Sequence, residues 1–109
     1  MAEVTDALFD LVCNELDITW DDEGTKKKMR ALIARGMAEL DDYAGAPQDY
    51  DEPGQSQRLL IEYCRYDLAA ALADFPVHYK GDLIALRERV KVAAVVAARE
   101  EAADLAAQN

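Results

Sequence analysis

Apolar residues recur along most of the chain at the three- and four-residue spacing of α-helices, and alternating strand-like patterns are absent. The clearest helical face comprises Met29, Leu32, Ile33, Gly36, Met37 and Leu40. Gly45 and Pro47 predict where this helix ends, because glycine readily adopts the left-handed cap conformation and proline cannot continue a helix. We therefore expect an all-α fold: one domain over residues 1–109, a small bundle of about four helices with a long C-terminal helix.

A helix is also predicted on either side of this segment. The first has Thr5 as a candidate N-cap and an apolar stripe of Val4, Leu8, Leu11, Val12 and Leu16, with Phe9 on its flank. Residues 46–57 then form a long polar loop. Pro53 suits the first turn of the third helix, which runs through "RLLIEYCRYDLAAALADF" (58–75) until Pro76 breaks it. That helix is apolar nearly all round, so we expect it to pack on several sides.

The fourth helix is expected to follow Gly81, with Asp82 as its N-cap. Its distal part, residues 95–109, is an Ala-rich helical tail. Alanine favours helix strongly but offers little apolar area. The tail could extend from the body as an arm or allow a neighbouring helix to approach closely, and the spacing leaves both open.

Charge is unevenly distributed along this 109-residue chain of net charge −10. Residues 1–24 hold eight acidic side chains and no Lys or Arg, so −8 of the −10 lies there. Such a segment repels phosphate backbones, which disfavours nucleic-acid binding. It is either a solvated acidic helix or a surface for a basic protein. Cys13 and Cys64 show no metal-binding spacing, and together with the short apolar runs they indicate a reduced, intracellular protein without a membrane span.

The stretch "DITWDDEGTKKK" (17–28) superficially suggests a ligand loop. If Gly24 took position six of a calcium loop, Arg30 would occupy position twelve, where that loop needs a glutamate. The second glycine of a phosphate loop is missing as well. The stretch is better explained as a helix start, in which acids precede lysines at i,i+4 spacing. Trp20 then lies opposite the core stripe, so it either folds back over the bundle from a linker or anchors an interface.

Catalytic chemistry is not indicated. His78 is the only histidine, and the many carboxylates form no recognisable acid–base motif. Arg87 and Arg89, on the fourth helix near Arg65 of the third, are most simply solvated or paired with acidic residues. We therefore expect no catalytic residues, no metal and no cofactor.

Three segments in order, "ITWDDEGTKKKMRALIARGMAELDDYAG", "RLLIEYCRYDLAAALADF" and "GDLIALR", resemble the small head-tail connector (adaptor) proteins of long-tailed bacteriophages and prophages. The resemblance covers roughly residues 12–92 and leaves the Ala-rich tail unmatched. It implies a non-enzymatic virion protein at the head-tail junction, assembled in the host cytoplasm. Such a protein forms a ring, dodecameric in the virion, beneath the portal protein. A tail-completion or tail-terminator protein docks on it, and DNA passes through without specific binding.

The resemblance also suggests where contacts lie. Trp20, Asp21, Asp22 and Glu23 are candidates for a subunit or portal interface. Tyr50, Arg87 and Arg89 are candidates for contacts with neighbouring subunits. Part of the acidic surface could line the channel, where it would let DNA slide without sticking. The alternative is a small helical DNA-packaging accessory or regulatory protein that binds nucleic acid through residues 26–28 and the arginines.

Overall fold

The computed structural model describes residues 3–19 and 22–108, and this part of the chain contains helices and no strand. The α-helices are α1 (Asp6–Glu15), α2 (Glu23–Ala44), α3 (Gln55–Leu68), α4 (Phe75–His78) and α5 (Lys80–Ala107). One turn of 3-10 helix, Leu72–Asp74, precedes α4. The predicted all-α bundle with a long C-terminal helix is confirmed.

The central helix is α2, which packs against α1, α3 and α5. Each of the six positions predicted for its buried face is buried. Gly45 ends the helix in the left-handed region, with φ of 83°, and its N–H donates to the Asp41 carbonyl at 2.9 Å. Local sequence signals therefore define both the orientation and the C-terminal end of this helix.

Contacts at the N-terminal end of α1 attach it to the bundle. The Thr5 hydroxyl caps it as predicted, accepting a hydrogen bond from the Leu8 N–H at 3.1 Å. Arg30 of α2 donates to the Val4 carbonyl at 2.9 Å and to the Asp6 carboxylate. The same guanidinium lies 4.9 Å from the ring centroid of Phe9, within cation–π range.

The third helix ends earlier than the sequence pattern predicts. α3 stops at Leu68, and Ala70 then adopts a left-handed conformation with φ of 56°. This turn redirects the chain so that Phe75 enters the core, where it is 1% exposed and its ring lies 5.4 Å from that of Tyr63. Pro76 therefore does not break a long helix: it lies in the first turn of α4, where its missing N–H costs nothing.

Two predicted helix starts also need correction. Pro53 lies outside α3, which begins at Gln55. Gly81 and Asp82 lie inside α5, which begins at Lys80 with only Tyr79 between it and α4, so Gly81 does not separate the two helices. Asp82 is in the first turn, where its negative charge is favourable at the positive end of the helix dipole.

The distal half of α5 projects from the body. Leu83 and Leu86 are its only buried residues, Val90 is partly buried, and every residue from 91 to 108 is exposed. We call residues 91–107 the C-terminal arm. It contributes to a molecule 61 Å long and 29 Å across at its second dimension. None of the described helices, the arm included, is long and apolar enough to cross a membrane.

Candidate assembly surface

The start of α2 carries two of the predicted contact residues, while Trp20 and Asp21 lie outside the described residues. Asp22 is the N-cap, and its carboxylate accepts a hydrogen bond from the Thr25 N–H at 2.6 Å. This hydrogen bond is the main reason why the pKa of Asp22 lies below its usual value. Glu23 is the exposed first residue of the helix. The stretch is therefore a helix start, as predicted, and the role of these acids in an interface stays a prediction.

We expect the Asp22 cap to make stability depend on acid pH. Because the folded-state pKa is lowered, the stabilisation is present above about pH 4 and is lost as the pH falls through the folded-state value. Asp22→Ala should therefore lower the thermal midpoint more at about pH 7 than at acid pH, where the carboxyl is protonated. Asp22→Asn is the matched control, since it keeps a capping oxygen without the charge. An equal loss at both pH values for Asp22→Ala would contradict the capping role of the carboxylate.

Tyr50 is a core residue, which corrects the prediction that it contacts a neighbouring subunit. Its side chain is 2% exposed, and its hydroxyl lies 2.6 Å from Oδ1 of Asp41 and 3.1 Å from the Met37 carbonyl oxygen. The loop folds back over α2 and buries this ring against it. Burial, followed by the hydrogen bond to Asp41, raises the pKa of Tyr50, so the phenol stays protonated.

The loop around Tyr50 is held by side-chain hydrogen bonds. The Gln48 N–H donates to Asp41 Oδ1 at 3.0 Å, the Ser56 hydroxyl to Gln48 Oε1 at 3.1 Å, and Gln57 Nε2 to the Tyr50 carbonyl at 3.1 Å. Since α3 begins at Gln55, the connection is also shorter than the predicted 46–57. This loop is a fixed part of the body.

Arg87 and Arg89 lie on exposed parts of α5, next to the base of the arm. Arg87 Nε donates to the Tyr43 carbonyl at 3.1 Å, in the last turn of α2. Arg87 also borders a groove of about 200 Å³, which we call the α5 groove. Its lining comprises Tyr43, Pro76, Lys80, Leu83, Ile84 and Arg87. The structure therefore brings Arg87, but not Arg89, to a concave surface that the sequence did not reveal.

The body also carries other grooves, including two that border α3. One, of about 310 Å³, lies over α3, and some of the polar side chains that line it bond one another: Tyr79 donates to Glu62 at 3.2 Å, and Arg65 to the same carboxylate at 3.3 Å. The other, of about 530 Å³, is mainly apolar and is bordered by Met29 and by Leu68, which is 48% exposed. The spacing of apolar residues predicted that Met29 is a core residue. It did not predict the groove beside it.

Potentially reactive groups serve packing or local hydrogen bonding. Within residues 3–19 and 22–108, no group of His, Cys, Asp and Glu side chains is arranged to hold a metal ion. Cys13 and Cys64 are buried and are not joined in a disulfide, and burial raises the pKa of Cys64 to about 12. Cys64 is therefore protonated at neutral pH and is not an activated nucleophile. His78 is exposed, with Nδ1 2.8 Å from the Tyr66 hydroxyl.

Most of the exposed surface contributed by large apolar side chains lies on α5. Its large exposed apolar side chains are Ile84, Val92, Val95, Val96 and Leu105, each at least 45% exposed. The basic residues Arg87 and Arg89 flank the inner end of this surface. The sequence matches no protein-family model, and no curated protein or solved structure matches it.

Proposed function

We propose that this protein is a structural head-tail connector, or adaptor, of a long-tailed bacteriophage or prophage. In this role it forms a homo-oligomeric ring beneath the portal protein and joins the DNA-filled head to the tail. The motif resemblance described above supports the proposal. The structural observation that supports it best is the C-terminal arm, because a fully exposed helix with several large apolar side chains is typical of a protein that buries them against other subunits.

The partners follow from this role. One face of the ring contacts the portal protein, and the other receives a tail-completion or tail-terminator protein. DNA passes through the centre, where the net charge of −10 opposes adhesion of its phosphates. The protein acts at the head-tail junction of the virion after assembly in the host cytoplasm, without catalytic activity or a cofactor.

The arm provides a direct test of assembly. We expect the full-length protein to form rings visible by negative-stain microscopy and native mass spectrometry, alone at high concentration or on added portal protein. A chain that ends after Lys91 should keep the helical circular-dichroism spectrum of the body, because Leu83 and Leu86 remain, but should lose the rings. A chain lacking only residues 107–109 is the matched control.

Two outcomes would contradict the connector function. One is a full-length protein that stays monomeric at high concentration and fails to bind portal protein. The other is a salt-sensitive shift of DNA in a gel, which would favour the regulatory alternative, because binding through lysines and arginines weakens steeply as salt rises.

A further inference from the structure

The α5 groove is bordered by a basic stripe that has an apolar side chain between its two cations. Lys80, Ile84 and Arg87 follow one another along one side of α5 at four- and three-residue spacing. Ile84 is 53% exposed, and among the described residues neither Lys80 nor Arg87 forms an ion pair. Glu39 and Asp42 lie beside Arg87, where they line another groove. Positive charge is therefore least compensated at the Lys80 end of the α5 groove.

The tip of the arm, residues 101–105, carries complementary side chains. Glu101 and Leu105 lie one turn apart on the same side of α5, separated by about 40° around the helix axis. Leu105 is 58% exposed, and Glu101 forms no ion pair within the part of the chain that the structure describes. The tip therefore presents one large apolar side chain next to an uncompensated carboxylate.

The tip cannot bind in the groove of its own chain. Ile84 and Leu105 belong to one unbroken helix, and the rise of an α-helix places them about 30 Å apart. The side chains of both therefore need another molecule to cover them. Since one chain carries an acidic tip and a basic groove, a second copy of the chain supplies the matching charge for each.

We propose that the tip of α5 binds in the α5 groove of a second copy of this chain. Leu105 packs against the partner's Ile84, and the Glu101 carboxylate pairs with the partner's Lys80. This inference rests on the proposed connector function, for which it specifies the contact between neighbouring subunits.

The two pairs also define the direction of the helices. Lys80 precedes Ile84 by four residues, and Glu101 precedes Leu105 by four residues, so both pairs form together when the two helices run in the same direction. In the opposite direction, with Leu105 still beside the partner's Ile84, Glu101 would lie level with the partner's Glu88 and toward the acidic end of the groove. Repulsion between like charges therefore disfavours that arrangement.

The contact is heterologous, because the tip and the groove are different surfaces and each copy carries one of each. Such a contact leaves a free tip on one subunit and a free groove on the other, so it propagates head to tail. It closes as a ring when the rotation between subunits allows closure. A two-fold dimer does not follow from it.

Charge reversal tests the ion pair. Glu101→Lys and Lys80→Glu should each weaken self-association about tenfold in sedimentation velocity, because like charges then meet. The double variant E101K/K80E restores opposite charges and should associate like the wild type. Both residues are exposed, so the circular-dichroism spectrum should not change. A monomeric wild type, single variants that associate like the wild type, or a double variant as weak as the single ones would overturn the proposal.

Truncation of Leu105 tests the apolar part of the contact. Leu105→Ala should also weaken self-association about tenfold, since it removes the side chain that packs against the partner's Ile84. Val96→Ala is the matched control: Val96 is 45% exposed and lies on the opposite side of the arm, so its loss should leave association unchanged. Equal effects of the two substitutions would contradict the proposed contact.

Disulfide trapping tests which surfaces meet. Ile84→Cys and Leu105→Cys are made in separate chains, with the native cysteines buried. Under mild oxidation their mixture should form the mixed disulfide, identified by intact mass, faster than either chain links to itself. A mixture of Ile84→Cys and Val96→Cys is the matched control and should link slowly.

The outcomes separate this contact from the connector function. Preferential linkage of Leu105→Cys to itself would show a tip-to-tip pair and overturn the proposal. Rings that form on portal protein without the mixed disulfide would overturn the contact alone and leave the connector function standing. A wild-type chain that neither self-associates nor binds portal protein would overturn both.

Discussion

Tyr50→Ala is expected to lower the free energy of unfolding by about 3–5 kcal/mol, the range for truncating a large buried aromatic ring. The ring fills a space between the loop and α2, and its hydroxyl bonds Asp41 at 2.6 Å. Because small domains have only about 5–15 kcal/mol of stability, this loss should shift the urea midpoint of the monomer strongly.

Tyr50→Phe separates the hydroxyl from the ring. It keeps the packing and removes a hydrogen bond to a carboxylate, so it should cost about 1.5–3 kcal/mol. Tyr43→Phe is the matched control, because that ring is partly exposed and the change should be smaller. If both Tyr50 variants unfolded like the wild type but failed to assemble, the burial argument would be wrong and Tyr50 would be a contact residue after all.

The Tyr50 hydroxyl should also make the free energy of unfolding depend on alkaline pH. The pKa of Tyr50 is raised above its ordinary value of 10, chiefly by burial. Its stabilisation is therefore complete below about pH 10 and is lost as the pH rises toward the folded-state value. Cys64, with its pKa raised to about 12, adds a similar loss that begins near pH 9. Tyr50→Phe should remove the tyrosine part of this alkaline destabilisation, which urea titrations across this pH range would detect.

Gly36→Ala is expected to destabilise the contact between α2 and α3. A Cβ atom at this position would lie 2.8 Å from Cδ1 of Leu60 and 2.9 Å from Cδ1 of Tyr63. Both neighbours are buried, so neither can move without disturbing the core. Overpacking of this kind costs about 1–3 kcal/mol, which opposes the gain of about 1 kcal/mol that alanine offers in a helix.

Gly81→Ala is the matched control for this substitution. Gly81 is also helical, but it is exposed and no atom lies within 4 Å of the position of its Cβ. Gly36 lies in the middle of α2 and Gly81 in the first turn of α5, and both positions are helical, so most of the difference between the two variants should reflect the clash, about 1–3 kcal/mol. Thermal denaturation should place Gly81→Ala above the wild type and well above Gly36→Ala. Equal midpoints for the two variants would show that α2 and α3 can move apart to accept the Cβ atom without a loss of stability.

The features predicted correctly from sequence depend on neighbours in the chain. The buried face of α2, the Thr5 cap and the Gly45 terminus each arise within one or two helical turns, where spacing and capping rules apply. The end of α3 depends instead on Phe75, which reaches the core only if the chain turns at Ala70. That turn is stabilised by tertiary packing, and the alanines around it still favour helix.

The candidate contact residues also divide into those whose role depends on chain neighbours and those whose role depends on tertiary packing. The capping role of Asp22 is local, and it follows from the helix start predicted there. Tyr50 lies among acidic residues in a polar stretch, a composition typical of an exposed loop, and its burial depends on Asp41 nine residues away on α2. Surface grooves such as the one beside Arg87 arise from elements distant in sequence, so spacing along one helix cannot predict them.

Because α5 is one continuous helix, its C-terminal arm can act as a rigid lever attached to the body. Two buried leucines fix one end of the helix, and the tip lies about 30 Å beyond Leu86 at the rise of an α-helix. A tilt of about 10° at the body would therefore move the tip by about 5 Å, the length of one helical turn. Small repacking around Leu83 and Leu86 would thus be amplified into large displacements at the distance where a neighbouring molecule is met.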